Sequence, residues 1–565
     1  MRNVFIAIGG SGTKVAEALV RLLGAGFPVH GKQNGFGSAG HKLEIWRVDP
    51  DRSSGSLEDL RDALLEYREI QDQLTGTVTN DTVGSSRWAM DIETKVRDLD
   101  PLELPRNDVV DGEVKSLRAL LDSRLGSSKS FGEMLTPFYQ EKDLDVKIDR
   151  GFYQKPFIGS AVMAIFANSL EDDSTPAGRK AGLNAFANTP ANFFLCGSLH
   201  GGTGACGVPV MAQFLSKRKQ ENPGWGWKIG GGLLAPFVKP PSPPFGALSE
   251  DEVFDESMIA PLLDRHQNDP AFKDLNNQEK EELVKQILLG FFADPDDMEE
   301  RARQGLAYYK DHSAEFFDQL YLIGKPNPNQ LKQWSNGGKS QKNPLNSADV
   351  VAAISALNFF AGTDVGGENS YVVGTSMDEI PQEKMKIHHL PNYKVDGLLV
   401  EVEKVLLSTA LTMNLIRNHV PWEDVHVNVK NFKLCAFYDE KGNQADIDRQ
   451  KFEEAFRMLS KSIFALIRPH TELLPTGWDP QNSVELGRYL SLEPQVVNQI
   501  AANLKRSLIS KAPKGVNRFG FSEVKFTDFD FSQWCPAGDQ FTRGEYFRHV
   551  WNEVFKRCET SMGVK

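Results

Sequence analysis

Cysteine is scarce in this 565-residue chain. The five residues, Cys196, Cys206, Cys435, Cys535 and Cys558, are odd in number and never spaced as Cys-x-x-Cys. A disulfide framework or a zinc ribbon needs close pairs, so both are excluded and free thiols are the expectation. Long apolar runs are missing too: none approaches the roughly 20 residues that span a bilayer. Nor is there an excess of positive charge, with 64 Lys and Arg against 76 Asp and Glu and a net charge of −12. A chain of that sign is not expected to coat nucleic acid or an anionic membrane through its net charge. Met1 to Val4 runs straight into an apolar strand, without the longer apolar region and cleavage site of a signal peptide. The expected location is cytoplasmic. The one histidine doublet, His388-His389, has no partner at ligand spacing, so no protein-held metal cluster is expected.

What is present is ordinary globular composition, 40% hydrophobic and 25% charged, over a length that calls for two domains or more. Apolar runs predict strands at residues 4–8, 43–48, 161–166, 193–196, 229–234 and 319–323, several of them separated by helical patterns. That alternation predicts an α/β fold, a parallel sheet covered on both faces. Two stretches read as insertions, near 56–149 and 239–305. The second opens on Lys239-Pro240-Pro241-Ser242-Pro243-Pro244, which is incompatible with a helix or a central strand, and continues as an acidic helical surface segment. A long apolar helix over 346–360 leads to the glycine-rich stretch 362–367. Residues 371–565 read as a second α/β domain.

Two glycine loops carry the chemistry. Gly9-Gly10-Ser11-Gly12-Thr13 follows the first strand and opens a helix, where backbone N–H groups can hold a phosphate. It lacks the Gly-Lys-Ser/Thr ending of a Walker A loop, and Val15 stands where the third Rossmann glycine belongs. The second loop, His200-Gly201-Gly202-Thr203-Gly204-Ala205, again lies between a strand and a helix, whose Pro209 suits a first turn. Two such turns on one parallel sheet predict two helix N-termini converging on one polyphosphate. Gly202 and Gly204 are expected to let the backbone approach the phosphates, so Gly204→Val is expected to abolish binding with the fold intact.

The second loop closely resembles the Gly-Gly-Gly-Thr-Gly-Ser/Thr-Gly signature of the tubulin/FtsZ superfamily. It departs from that signature at His200, Ala205 and Cys206. The resemblance covers roughly residues 1–370 and implies a divergent prokaryotic tubulin-like protein. Its nucleotide-binding domain would span 1–344, its central helix and activating-type loop 345–370, and its C-terminal domain 371–565. It implies GTP and Mg²⁺ as ligands. Gly9, Gly10, Ser11, Gly12 and Thr13 would form the first phosphate loop, and Asp49 and Asp51 an acidic loop near phosphate and magnesium. Gly159 would belong to a γ-phosphate-sensing loop. Gly201, Gly202, Thr203, Gly204 and Ala205 would form the signature loop, and Pro236 would lie on the ribose side. Asn327 and Asp349 would read the guanine edge. Asp349 also reads as a helix N-terminal charge, and Asn327 as a turn residue.

The resemblance further implies head-to-tail self-association into filaments, with hydrolysis completed by a carboxylate delivered from the next subunit. Asn369 matches the family's asparagine, Tyr371 stands in place of its catalytic aspartate, and Glu368 and Asp364 are the carboxylates at hand. Two alternatives stay open. One is a non-hydrolysing, nucleotide-gated scaffold that binds a protein partner through its C-terminal domain. The other is a Rossmann-type dinucleotide enzyme that uses the first loop alone.

Overall fold

A computed structural model of the chain describes residues 2–25, 42–74, 90–103, 156–239, 298–324, 344–362 and 370–374, with parts of 116–120, 139–152, 275–280, 329–330 and 458–466. Asn327, Asp364, Glu368, Asn369 and nearly all of 371–565 lie outside the described residues. The strands are β1 (Arg2–Ile8), β2 (Lys42–Val48), β3 (Asp91–Ile92), β4 (Arg97–Leu99), β5 (Ala191–Ser198), β6 (Lys228–Leu234), β7 (Val238–Lys239), β8 (Gln319–Gly324), β9 (Asn329–Gln330) and β10 (Ser370–Gly374). The main helices are α1 (Gly9–Gly24), α2 (Gly55–Leu74), α3 (Pro156–Ser169), α4 (Pro176–Ala181), α5 (Gly202–Glu221), α6 (Met298–Phe316) and α7 (Ser347–Phe360).

One sheet runs in the order β10-β8-β6-β5-β1-β2-β3, with β4 also on β2. Its pairings are all parallel, in registers that include Ile8 with Val48, Ala7 with Cys196 and Leu234 with Ile323. The strands therefore finish along one edge. Strand order reverses at β1, which lies between β2 and β5, so the sheet is doubly wound and has its switch point there.

The core explains the continuous apolar runs. Val4 and Ile6 of β1, with Phe193 and Leu195 of β5, pack with Val162, Met163, Met211 and Leu215 from α3 and α5. Phe5 and Phe194 point to the other face, where Phe194 meets Phe359 at 5.6 Å and Phe360 at 6.1 Å on α7. Both faces are buried, as parallel sheets require. Gly230, Gly231 and Gly232 of the central strand β6 make room for these rings. A Cβ on Gly230 would lie 2.8 Å from carbons of both Phe194 and Phe359, and one on Gly231 would lie 2.7 Å from Phe317.

Five expectations need correction. Residues 161–166 are helical, within α3, because Ile158, Val162, Met163 and Phe166 fall on one buried helical face. The 56–149 stretch is not simply an insertion, since β3 and β4 extend the sheet beyond β2. Of the stretch read as surface segment, Met298 at the start of α6 is buried, and α6 packs on α5 over the loop at Leu199. Helix α5 starts at Gly202, so Pro209 is inside it and leaves the Ala205 carbonyl without a helical N–H donor. The boundary at 370/371 falls within β10, where Tyr371 pairs with Tyr321 of β8; α7 returns the chain to the same sheet. From the second half, Met458, Ser462, Ala465 and Leu466 are helical, and the Ser462 Oγ sits against Gly24 at the end of α1. No helix among the described residues is long and apolar enough to cross a membrane.

Candidate functional site

Parallel pairing brings the loops after β1, β2, β5 and β6 to one edge, and two of them touch. Gly9 has φ +72°, a backbone that favours glycine. A Cβ there would lie 3.2 Å from the Thr203 Cβ and 3.3 Å from the Gly204 nitrogen. The first turns of α1 and α5 thus lie side by side at the switch point. Neither helix has a side-chain cap or an acidic residue in its first turn. Two other helices of the chain do carry side-chain caps. Asn346 and Asp349 form a reciprocal capping box on α7, and the Thr175 hydroxyl accepts from the Gly178 N–H at 2.9 Å on α4. Two adjacent, uncapped N-termini leave backbone donors and two dipole ends for an external anion.

Around these turns Gly10, Ser11, Gly201 and Ala205 are half-buried, while Gly12, Gly202, Thr203 and Gly204 are buried. The Thr13 hydroxyl donates to the Gly9 carbonyl at 2.9 Å, and the Gly201 N–H donates to the Ser198 Oγ at 3.2 Å. The role expected of Gly204 changes. A Cβ on it would meet the Ser198 backbone at 2.6 Å, and one on Gly12 would run into the Cys196 carbonyl. These two glycines are required by the close packing of the two helix starts on the ends of β1 and β5.

The acidic loop is spoken for. Arg47 is fully buried and donates to Asp98 Oδ1 at 2.8 Å, to the Ser54 Oγ at 3.2 Å and to the Asp51 carbonyl, and pairs with Asp49 Oδ2 at 3.1 Å. The other Asp49 oxygen accepts from the Asp51 N–H at 3.2 Å, and Asp51 in turn accepts from the Ser53 N–H at 3.0 Å. Burial pushes Asp49 up to about 6 against the pull of Arg47. Among the described residues no three His, Cys, Asp or Glu side chains form a metal cluster. At this edge the Asp49 carboxylate is committed to Arg47 and to the Asp51 N–H.

Gly159 is in no loop. It lies within α3 against the Cys206 Sγ and the Phe152 ring, which is how α3 approaches α5 so closely. Pro236 is half-buried just past β6. Asp349 is buried at the start of α7, and its Oδ2 accepts from the Asn346 N–H at 2.7 Å. Its Oδ1 is buried with no hydrogen-bond partner among the described residues. Burial, partly offset by the Asn346 bond and by Lys14, raises its pKa to about 7. Lys14 of α1 pairs with Glu17 at 3.0 Å and Asp59 at 2.6 Å.

A testable consequence follows for Asp349. If its carboxylate accepts guanine N–H donors, binding must remove the proton held at lower pH. GTP affinity should then weaken by up to tenfold per pH unit as pH falls below about 7. It should be level above that pH. In Asp349→Asn the pH slope should vanish and preference over ATP should relax. Competition titrations from pH 5.5 to 8.5 check this, and a flat wild-type profile would remove Asp349 from base recognition.

Sequence reasoning passed over His200 as a site residue. It is 5% exposed, its ring lies edge-on to Phe237 at 5.9 Å, and its Nδ1 is buried without a partner among the described residues. Burial first, and Arg301 of α6 second, push its pKa down to about 4, so the ring is neutral at pH 7. Its only sequence signal is that it stands where a glycine belongs in the loop.

No protein-family model matches the chain, and no curated protein or solved structure matches it. Sheet order, pairing and helix placement make it an α/β protein with a doubly wound parallel sheet and two glycine-loop helix N-termini at the switch point.

Proposed function

We propose that the chain binds a guanine nucleotide at the switch point and is a divergent tubulin/FtsZ-like protein that self-associates head to tail. The observation that carries this reading is the pair of uncapped N-termini of α1 and α5, side by side beyond the carboxyl ends of β1 and β5. A single dinucleotide-type turn leaves the second unexplained. GTP supplies a phosphate anhydride that water can attack. The first turns of α1 and α5 hold its phosphates, and Asp349 accepts from the base.

The placement of α7 supports completion of the site in trans. Its first turn carries Asp349, electrostatically coupled to Cys196 near the end of β5. Its 14 residues run back about 20 Å, and β10 begins opposite Leu320, near the start of β8. Gly362 and Ser370, which flank Asp364, Glu368 and Asn369 in the sequence, thus lie toward the edge away from the glycine loops of the same subunit. A neighbour stacked head to tail would bring Asp364, Glu368 and Asn369 to the nucleotide.

The second reading is a non-hydrolysing scaffold. Tyr371, at the place of the catalytic aspartate, belongs to a paired strand, and Ala205 offers no hydroxyl. Fluorescent mant-GTP binding, with NAD as a competitor, and phosphate release across protein concentration separate the readings. Turnover per subunit that rises with concentration supports the composite site. Tight binding with zero turnover at all concentrations supports the scaffold. Displacement of mant-GTP by NAD at equal concentration would overturn both.

A further inference from the structure

His200 immediately precedes Gly201, the N-cap of α5, and is almost wholly buried. A buried polar atom without a partner is costly, and among the described residues Nδ1 of His200 has none. Nδ1 is the ring nitrogen nearer the backbone, and that backbone leads directly into the N-cap of α5. The ring is braced by Phe237, 5.9 Å away and inclined at 71°. On the same side α6 crosses Leu199, since a Cβ on Gly305 would lie 3.5 Å from its Cδ2, and α6 brings Arg301 close enough to act on the imidazole. An uncapped helix terminus, an unused imidazole nitrogen and a guanidinium together describe a place built for an anion.

We propose that His200 is a phosphate-binding residue: its Nδ1–H donates to a phosphate group held at the first turn of α5, with Arg301 supplying positive charge from α6. The inference rests on the nucleotide reading above and adds to it a contact from a residue where the resembled signature has glycine. A neutral imidazole with its proton on Nδ1 donates this bond without itself carrying charge.

The test compares wild type with His200→Ala, His200→Asn and His200→Gln, titrated with mant-GTP and with mant-guanosine, which carries no phosphate. The asparagine amide nitrogen takes the place of Nδ1, whereas the glutamine amide reaches toward Nε2. Affinity for mant-GTP should fall about tenfold or more in His200→Ala and His200→Gln, and stay within about threefold of wild type in His200→Asn. Mant-guanosine affinity should be equal in all four. Competition by inorganic phosphate that works on wild type and is lost in His200→Ala would extend the site to free phosphate. Equal mant-GTP affinity in all four proteins would mean that Nδ1 meets no phosphate, and would overturn the proposal while sparing the nucleotide reading. Equal losses for both ligands would overturn it as well, by making His200 a packing residue. Wild type that binds no mant-GTP would overturn the nucleotide reading itself, and the proposal with it.

Discussion

Ser11→Asp should cut GTP affinity by at least about 100-fold while leaving the thermal midpoint of the nucleotide-free protein unchanged or higher. Ser11 is the third residue of α1, half-buried, in a first turn that has neither a side-chain cap nor an acid. An aspartate there complements the helix dipole, an effect worth about 0.3–1 kcal/mol. The same charge opposes any phosphate at that terminus. At roughly 4 Å and an effective dielectric of about 20, like charges repel by about 4 kcal/mol, which outweighs the helix gain several-fold. Stability and binding should therefore move in opposite directions, a result that general damage to the fold cannot mimic. The check is a mant-GTP titration beside a thermal melt. Unchanged affinity would remove α1 from the anion site.

Gly204→Val should destabilise the protein itself, by at least about 2 kcal/mol, before any question of binding arises. The added Cβ would lie 2.6 Å from the Ser198 nitrogen and 2.9 Å from the Ser198 oxygen, both backbone atoms of β5 that cannot swing aside. Gly224→Val is the control: nothing lies within 4 Å of a Cβ there, so its effect should stay within about 0.5 kcal/mol. Denaturant unfolding of the two variants decides it. Equal midpoints would mean that the α5 turn is held apart from β5 in solution.

The sheet was largely legible in the sequence, and for a physical reason. Strands buried on both faces, such as β1 and β5, read as unbroken apolar runs, and glycine clusters mark where two of them end. Residues 161–166 misled because an apolar run of six satisfies a buried strand and a buried helix alike; only the longer spacing from Ile158 to Phe166 separates them. The strands β3 and β4, of two and three residues, are too short to show a period.

At the site, positions were more legible than roles. The spacing of Asn346 and Asp349 is a capping-box signal readable from sequence, and the carboxylate does serve as that cap. The clamp of Arg47 on Asp49 was not readable, because a further partner that holds it there, Asp98, comes from another strand, 51 residues away. His200 showed only as a departure from a pattern, and its meaning depends on Phe237 and Arg301, both distant in sequence.

The three consecutive glycines of β6 carry a consequence for how this sequence can drift. Gly230 and Gly232 share the Phe194 ring on one face, and Gly231 faces Phe317 on the other. An enlargement at 230 or 231 meets a ring at under 3.0 Å, one at 232 is tight against Phe194 at 3.0 Å, and shrinking one ring alone leaves a void. Allowed change is therefore coupled: among orthologues, a side chain at 231 should appear only with changes at 317 and 320, and one at 230 only with changes at 194 and 359. The middle of the sheet evolves as a set of interlocked exchanges.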